Sequence, residues 1–326
     1  MSISRRLLLA ASRSERLAGL LRRRRCVGRA VRRFMPGDEL SDALEAAQRF
    51  AAGGLGTVVT KLGENVTTLE EAQAVARHYL GALDEIHHAA LPTQVSVKLT
   101  QLGLDVDRDA CEQALRSLVE RAGAGGSTLW IDMEDSRYTD ATLEIYRRLL
   151  TERPNVGVCL QAYLRRTPAD LEALLPLEPA IRLVKGAYAE PPEAAFPRKH
   201  DVDAAYYALA ERLVAAAARG AARPVFGTHD MGLVARIRGR IAALGVPRGR
   251  CEFHLLYGIR ERDQRALAGE GESVRVLISY GSAWFDWRPN TRTLKRSRNR
   301  VPMPAGYLRS VLYVSGVDRA RRIDCH

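Results

Sequence analysis

Eight short, nearly continuous apolar runs recur along the chain at intervals of about thirty residues: LGTVVTKL (55–62), QVSVKL (94–99), STLWIDM (127–133), VGVCLQAY (156–163), IRLVKGA (181–187), PVFGTH (224–229), CEFHLLYG (251–258) and VRVLISYG (274–281). They read as buried strands. Between them the apolar positions switch to three- and four-residue spacing, as in LEEAQAVARHYLGALDEI after the first run and DAAYYALAERLVAAAARG after the fifth, which predicts helices. Strands alternating with helices imply parallel pairing, because a parallel connection must cross over the sheet. Eight such units close into one barrel, so the expected fold is α/β: a (β/α)8 TIM-like barrel with N-terminal helices and a divergent C-terminal tail. The segment DELSDALEAAQRFAAGG (38–54), with its acidic start and glycine stop, predicts a helix packed ahead of the first strand.

In this fold catalytic groups sit where strands end and loops begin, on the C-terminal face. Nearly every apolar run here ends in a polar residue that a buried strand does not need. The strand ends give Lys98, Asp132, Gln161, Arg182 with Lys185, Thr228 with His229, Tyr257 and Tyr280 as candidates. A solvated rim explains any one of them; several converging on one face call for chemistry.

A chain of 326 residues with 46% hydrophobic content suits one domain with a large core. The five cysteines are scattered without a CxxC pair, which argues against structural zinc or a disulfide framework, and no metal site is expected. The net charge of +12 resembles a nucleic-acid signature until it is divided by region. Residues 1–35 carry eleven Arg and one acid, and residues 288–326 carry ten Arg or Lys and two acids, which leaves 36–287 at net −6. The basic charge therefore belongs to the two ends, and no nucleic-acid partner is expected. The Arg-rich N-terminus fits a basic surface helix suited to an anionic membrane better than a mitochondrial transit peptide. The expected location is cytoplasmic, with peripheral contact at the inner membrane surface. The expected division is a basic arm and pre-barrel helix (1–52), the barrel (53–287) and a divergent basic tail (288–326).

The strand ends also resemble, in order and spacing, the flavin-dependent proline dehydrogenases: VSVKL with Lys98, LWIDMEDS with Asp132 and Met133, LQAYLRRT with Gln161, IRLVKGAY from Arg182 to Tyr188, GTHD with Thr228 and His229, EFHLLYGIR and YGSAWF. The resemblance runs from about Gly37 to Trp287. It implies non-covalently bound FAD, oxidation of L-proline or a close analogue to Δ1-pyrroline-5-carboxylate, and a membrane quinone as electron acceptor. It also implies roles. Arg182 stands beside the flavin N5, Gln161 bonds the pyrimidine side, and Met133, Val184, Lys185, Gly186 and Ala187 line the cofactor. Thr228 and His229 hold its ribityl, phosphate or adenine portion. Lys98 and Asp132 fall at the proline pocket, with Ala187, Tyr188, Leu256, Leu277, Trp287 and Glu64 as further substrate-binding positions; Asp132 and Arg182 are the catalytic pair. A glycine at 186 lets backbone approach a planar ring. No GxGxxG or GxxxxGK[ST] loop is present, so the resemblance implies neither Rossmann nor P-loop binding.

The sequence departs from the family at three places. Leu277 stands where many members carry a tyrosine. Asn290 and Thr291 stand where an adjacent Arg pair clamps the substrate carboxylate, and Glu64 thereby loses the partner it has in the family. Because the resemblance stops within a residue or two of Arg288, the tail reads either as a divergent, solvated C-terminus or as the product of a change of coding frame near that codon. The residues alone also fit two other readings: a Schiff-base aldolase using Lys98 or Lys185, and a non-enzymatic binder acting through the basic ends.

Overall fold

A computed structural model of the chain describes residues 33–63 and 66–282. Eight strands close into a barrel in sequence order, all pairs parallel: β1 (Gly56–Lys61), β2 (Thr93–Val97), β3 (Leu129–Ile131), β4 (Val156–Gln161), β5 (Ala180–Val184), β6 (Arg223–Gly227), β7 (Glu252–Leu256) and β8 (Ser273–Tyr280). The helices are α1 (Leu40–Ala51) before β1, then α2 (Leu69–His88), α3 (Arg108–Ala124), α4 (Thr139–Glu152), α5 (Thr167–Leu174), α6 (Lys199–Ala218), α7 (Met231–Ala243) and α8 (Glu261–Gly269), one after each of β1 to β7. All eight expected strands and the pre-barrel helix are present.

Local chemistry fixes the helix starts. Thr68 caps α2 by accepting from Glu71 N–H at 3.2 Å, and the Glu71 carboxylate accepts back from Thr68 N–H. Asp107 and Asp230 cap α3 and α7 by accepting from Ala110 and Leu233 N–H, without a bond back. The main core lies between the outward faces of the strands and the helices, where Tyr79, Tyr146, Tyr206, Phe226 and Phe253 are almost fully buried. Strands covered in this way have one apolar face outside, which accounts for the hydrophobic runs in the sequence.

Helix α1 packs against both β8 and β1. In a regular repeat that groove receives the helix that follows the last strand. Here a helix preceding the first strand fills it, and Phe50 of α1 meets the Tyr257 ring edge-to-face at 6.0 Å. Among the described residues no helix is long and apolar enough to cross a membrane.

Candidate active site

The strand register sorts residues into two sets, and one set lines the barrel interior. Val58 pairs with Gln94 and Leu277, Ser96 with Trp130, Cys159 with Arg182, Gln161 with Val184, and Val184 with Gly227. Contacts across the barrel confirm which set faces in: Val58, Trp130, Ala180 and Val225, from four different strands, form one small apolar cluster with Leu277 against it. The Trp130 ring also meets His254 of β7 edge-to-face at 5.8 Å. Gly157 on β4 leaves room for that ring, since a Cβ there would lie 2.5 Å from it.

Above this layer a buried ionic array forms. Asp132, just past β3, receives the Ser96 hydroxyl on Oδ1 at 2.8 Å and shares that oxygen with Arg182 Nη2. Its other oxygen faces Lys98 Nζ at 3.5 Å. Arg182 Nη2 also donates to Ser96 Oγ at 2.8 Å, and its guanidinium stands 5.2 Å from the Trp130 ring centroid, a cation–π contact. Trp130 is held in turn by donating its indole N–H to Gln94 Oε1 at 2.6 Å. Burial pushes the Asp132 carboxyl up, but Arg182 first and Lys98 second outweigh it, so the carboxyl lies below its ordinary range and stays ionised. Burial depresses the Arg182 guanidinium, and the Asp132 charge more than restores it.

Buried polar atoms without a hydrogen-bond partner among the described residues include Gln161 Oε1, Arg182 Nη1, His229 Nδ1 and Ser279 Oγ on inward positions, and others on the helices, such as Thr139, Thr142, Arg240 and Gln264. Gln161 spends its amide N–H on the Met133 carbonyl at 3.1 Å, which leaves its oxygen as the free acceptor. His229 Nε2 accepts from Leu256 N–H at 3.1 Å, so the ring proton sits on Nδ1. Burial, with a smaller push from Arg260, holds the His229 ring down at about 4, so it is neutral at ordinary pH. Unsatisfied buried groups cost about 1–3 kcal/mol each. Several at one end of a barrel point to a polar ligand. Gln161, Val184 and Gly227 form an adjacent inward row, and the missing side chain of Gly227 keeps that row shallow beside Val184.

The remaining sequence candidates fall out as follows. Thr228 is buried and accepts from Asp230 N–H at 3.2 Å. Ala187 and Tyr188 are half-buried in the loop between β5 and α6, which Glu190 ties to the loop after β3 by accepting from Ser136 N–H at 2.8 Å and Oγ–H at 2.5 Å. Leu256 and Leu277 are half-buried and paired in register, at neighbouring inward positions. Glu64 and Trp287 lie outside the described residues, as do residues 1–32 and 283–326 with every expectation attached to them.

Four candidates have partners of their own in the structure. The Lys185 ammonium does not face the array; it bridges Asp203 at 2.5 Å and Asp230 at 3.2 Å, on α6 and at the α7 cap. Its backbone is what remains for a ligand. Gly186, at φ +106°, brings its backbone against the Tyr163 ring as well, where a Cβ would collide. Tyr280 points out of the barrel to donate to or accept from His78 Nε2 at 2.8 Å, because its neighbour Ser279 occupies the inward parity. Tyr257 packs on Phe50 of α1. Strand-end position alone does not distinguish an inward side chain from an outward one.

Sequence reasoning missed the second half of the site. Gln94, Ser96, Trp130, Glu252, His254 and Arg275 sit inside the barrel beneath the strand ends, with Arg275 Nε on Glu252 at 2.7 Å and Glu252 3.5 Å from His254 Nε2. Burial raises the Glu252 carboxyl, but His254 and Arg275 together bring it down to about 2. The available signal was period-two alternation, Gln-x-Ser-x-Lys in β2 and Glu-x-His-x-Leu in β7. Among the described residues no group of three or more His, Cys, Asp or Glu is placed to hold a metal ion.

Similarity to known proteins agrees with this architecture. The sequence model for proline dehydrogenase matches residues 43–284. Proline dehydrogenase 1 of Bacillus subtilis strain 168 is 34% identical over 257 residues, covering 79% of this chain and 84% of that one. The proline dehydrogenase of Deinococcus radiodurans is 33% identical over 282 residues, 85% of this chain and 89% of its own. In structure the barrel is similar to proline utilization A of Bdellovibrio bacteriovorus, with a TM-score of 0.72 and 24% identity over 78% of this chain, which spans 31% of that longer protein. With the family's sequence pattern extending over most of the chain and the matching barrel beneath it, this protein is an enzyme of the proline dehydrogenase family.

Proposed function

We propose that the protein binds FAD at the C-terminal mouth of its barrel and oxidises L-proline to Δ1-pyrroline-5-carboxylate, with a membrane quinone as the final acceptor. The observation that carries this reading is that Gln161 Oε1, Arg182 Nη1 and His229 Nδ1, one acceptor and two donors on β4, β5 and just past β6, are buried without hydrogen-bond partners among the described residues. A flavin offers both acceptors and donors along its pyrimidine edge and gathers negative charge when reduced, so this donor set fits it. The residues that would hold it are Met133, Gln161, Arg182, Val184, Gly186, Ala187, Thr228 and His229, together with the backbone of Lys185. When bound, FAD takes up the hydride that leaves the carbon next to the amine.

The chain's own residues prepare that transfer. Arg182 keeps a fixed positive charge in a buried site, where it stabilises developing negative charge far more than it would in water. Asp132 keeps both Arg182 and Lys98 in place while remaining ionised. Lys98, ion-paired with Asp132 and with 14% of its side chain exposed, would also meet a substrate carboxylate entering from the mouth. Ala187, Tyr188, Leu256 and Leu277 would form the wall around a small ring. The barrel (53–287) carries this chemistry in the proposal, flanked by the arm (1–52) and the tail (288–326). Peripheral contact of a basic end with the cytoplasmic face of the membrane would bring the reduced protein to its acceptor.

A visible spectrum of the purified full chain, recorded anaerobically before and after adding L-proline, tests the reading. Flavin bands that bleach with proline support it. A colourless protein that takes up no added FAD overturns it.

A further inference from the structure

The two hydrogens on Arg182 Nη2 are both used. One goes to Asp132 Oδ1, and the other goes to Ser96 Oγ at 2.8 Å. Ser96 belongs to β2, three strands from β5, so this contact crosses the barrel interior. The serine has a single hydroxyl proton, and a guanidinium nitrogen cannot accept it. The proton must therefore run to Asp132 Oδ1, 2.8 Å away, while an oxygen lone pair faces Arg182. Ser96 is 0% exposed, so no solvent exchange loosens either bond. A guanidinium held by one acceptor at one nitrogen can rotate about that contact. Held by two acceptors on the same nitrogen, with the Trp130 ring on one side at 5.2 Å, its plane is fixed.

We propose that Ser96 is a positioning residue that acts through Arg182: its hydroxyl locks the guanidinium plane against Asp132 and so aims Nη1 at the flavin. This rests on the FAD reading above. Nη1 is buried and has no hydrogen-bond partner among the described residues, and beside the weak contact of the neighbouring Cys159 thiol the two oxygen acceptors on Nη2 are the strong hold on the group's direction. Without the Ser96 oxygen, one Nη2 hydrogen loses its acceptor and Asp132 loses a donor. The charge on Arg182 survives, but its alignment with the reduced ring does not. Preorganised alignment is what makes such a charge effective.

The test uses the full chain carrying Ser96→Ala or Ser96→Thr, each loaded with FAD. Three quantities are measured: flavin content, the midpoint potential of the bound flavin against a reference dye, and the rate of flavin reduction by L-proline at several concentrations. Ser96→Ala is expected to keep its flavin, shift the potential to more negative values, and slow reduction at saturating proline on the order of tenfold, the effect of losing one hydrogen bond to a charged group. Half-saturation should hardly change, because Ser96 does not face the substrate. Ser96→Thr should restore potential and rate. An unchanged potential and rate per bound flavin in Ser96→Ala would overturn the proposal, whatever its thermal stability. If Ser96→Ala takes up no flavin, Ser96→Thr decides: a wild-type potential supports the proposal and a shifted one sinks it. Arg182→Lys separates the two ideas. If it too leaves potential and rate unchanged, the FAD reading of Arg182 fails; if it changes both while Ser96→Ala changes neither, only the role of Ser96 fails.

Discussion

Asp132 and Arg182 meet inside the barrel although β4 stands between their strands, and neither charge would be tolerated there alone. Ser96 joins them on one side and Lys98 on the other. Replacing Asp132 with Asn removes the one carboxylate that both cations share. Breaking a buried pair by deleting a partner costs on the order of 3 kcal/mol, since the remaining charge stays desolvated. We expect Asp132→Asn to lower the urea unfolding free energy by about that amount and to abolish flavin reduction by proline. A variant as stable as the wild type would mean that water reaches Arg182 and that the array is not a closed one.

Lys98 is predicted to act on substrate rather than on folding. Its side chain reaches the mouth, and Lys98→Met preserves the apolar stem while deleting the ammonium. The expected result is near-wild-type stability and FAD content with proline half-saturation raised tenfold or more, since a charge-assisted contact to a carboxylate is worth about 1.5–3 kcal/mol. Wild-type turnover and half-saturation in steady-state assays would remove Lys98 from the site.

The barrel interior also sets an acid limit on stability. His254 is 4% exposed, and burial, reinforced by Arg182 and Arg275 against the opposing Glu252, holds its ring down at about 4. The unfolded chain binds a proton at this histidine below its ordinary value of 6.5, whereas the folded chain does so only below about 4. The contribution is complete above 6.5 and is lost as pH falls from there toward 4. Comparing wild type with His254→Gln isolates it from other groups. The stability advantage of wild type over the variant should shrink by about 2 kcal/mol between pH 7 and pH 5 in urea titrations. A difference independent of pH would show that the folded chain binds a proton at His254 as readily as the unfolded chain does.

How much of this could be read from the sequence depends on which physical signal each feature leaves. The strands were legible because a parallel strand covered by helices must present an apolar outer face, so the runs at 55–62 and 224–229 stand out. Asp132 and Lys98 were legible because a charge at the end of such a run has no packing role. Ser96, Glu252 and His254 lie within the runs, where alternation with Val97 or Phe253 was masked by the overall apolar character. Tyr280 was misjudged for a related reason. A strand-end side chain faces mouth or helix according to parity, and parity needs the register, which pairs Thr60 with Ser279 and turns Tyr280 outward. The Asp203 and Asp230 partners of Lys185 come from α6 and the start of α7, and no local pattern announces contacts between successive units.

The last prediction concerns the chain beyond the described residues and follows from the family resemblance of the sequence. The resemblance implies an adjacent Arg pair a few residues after Trp287, and this chain has Asn290 and Thr291 there. Bidentate recognition of a carboxylate needs the planar guanidinium fork, which neither side chain reproduces. Arg288 and Arg292 each fall one or more sequence positions away from where the resemblance puts the pair. Each lost charge-assisted contact costs about 1.5–3 kcal/mol, so two lower affinity for proline by roughly two to four powers of ten. The donors proposed for FAD lie on β4 to β6 and are untouched by the change. The expected protein therefore binds flavin yet is reduced by proline slowly and only at high concentration. Replacing residues 288–326 with a family-like helix bearing the Arg pair should restore saturation without altering the flavin spectrum. Saturation by millimolar proline with normal turnover in the present chain would refute this, and Arg288, Arg292 or another tail residue would then have to supply the clamp.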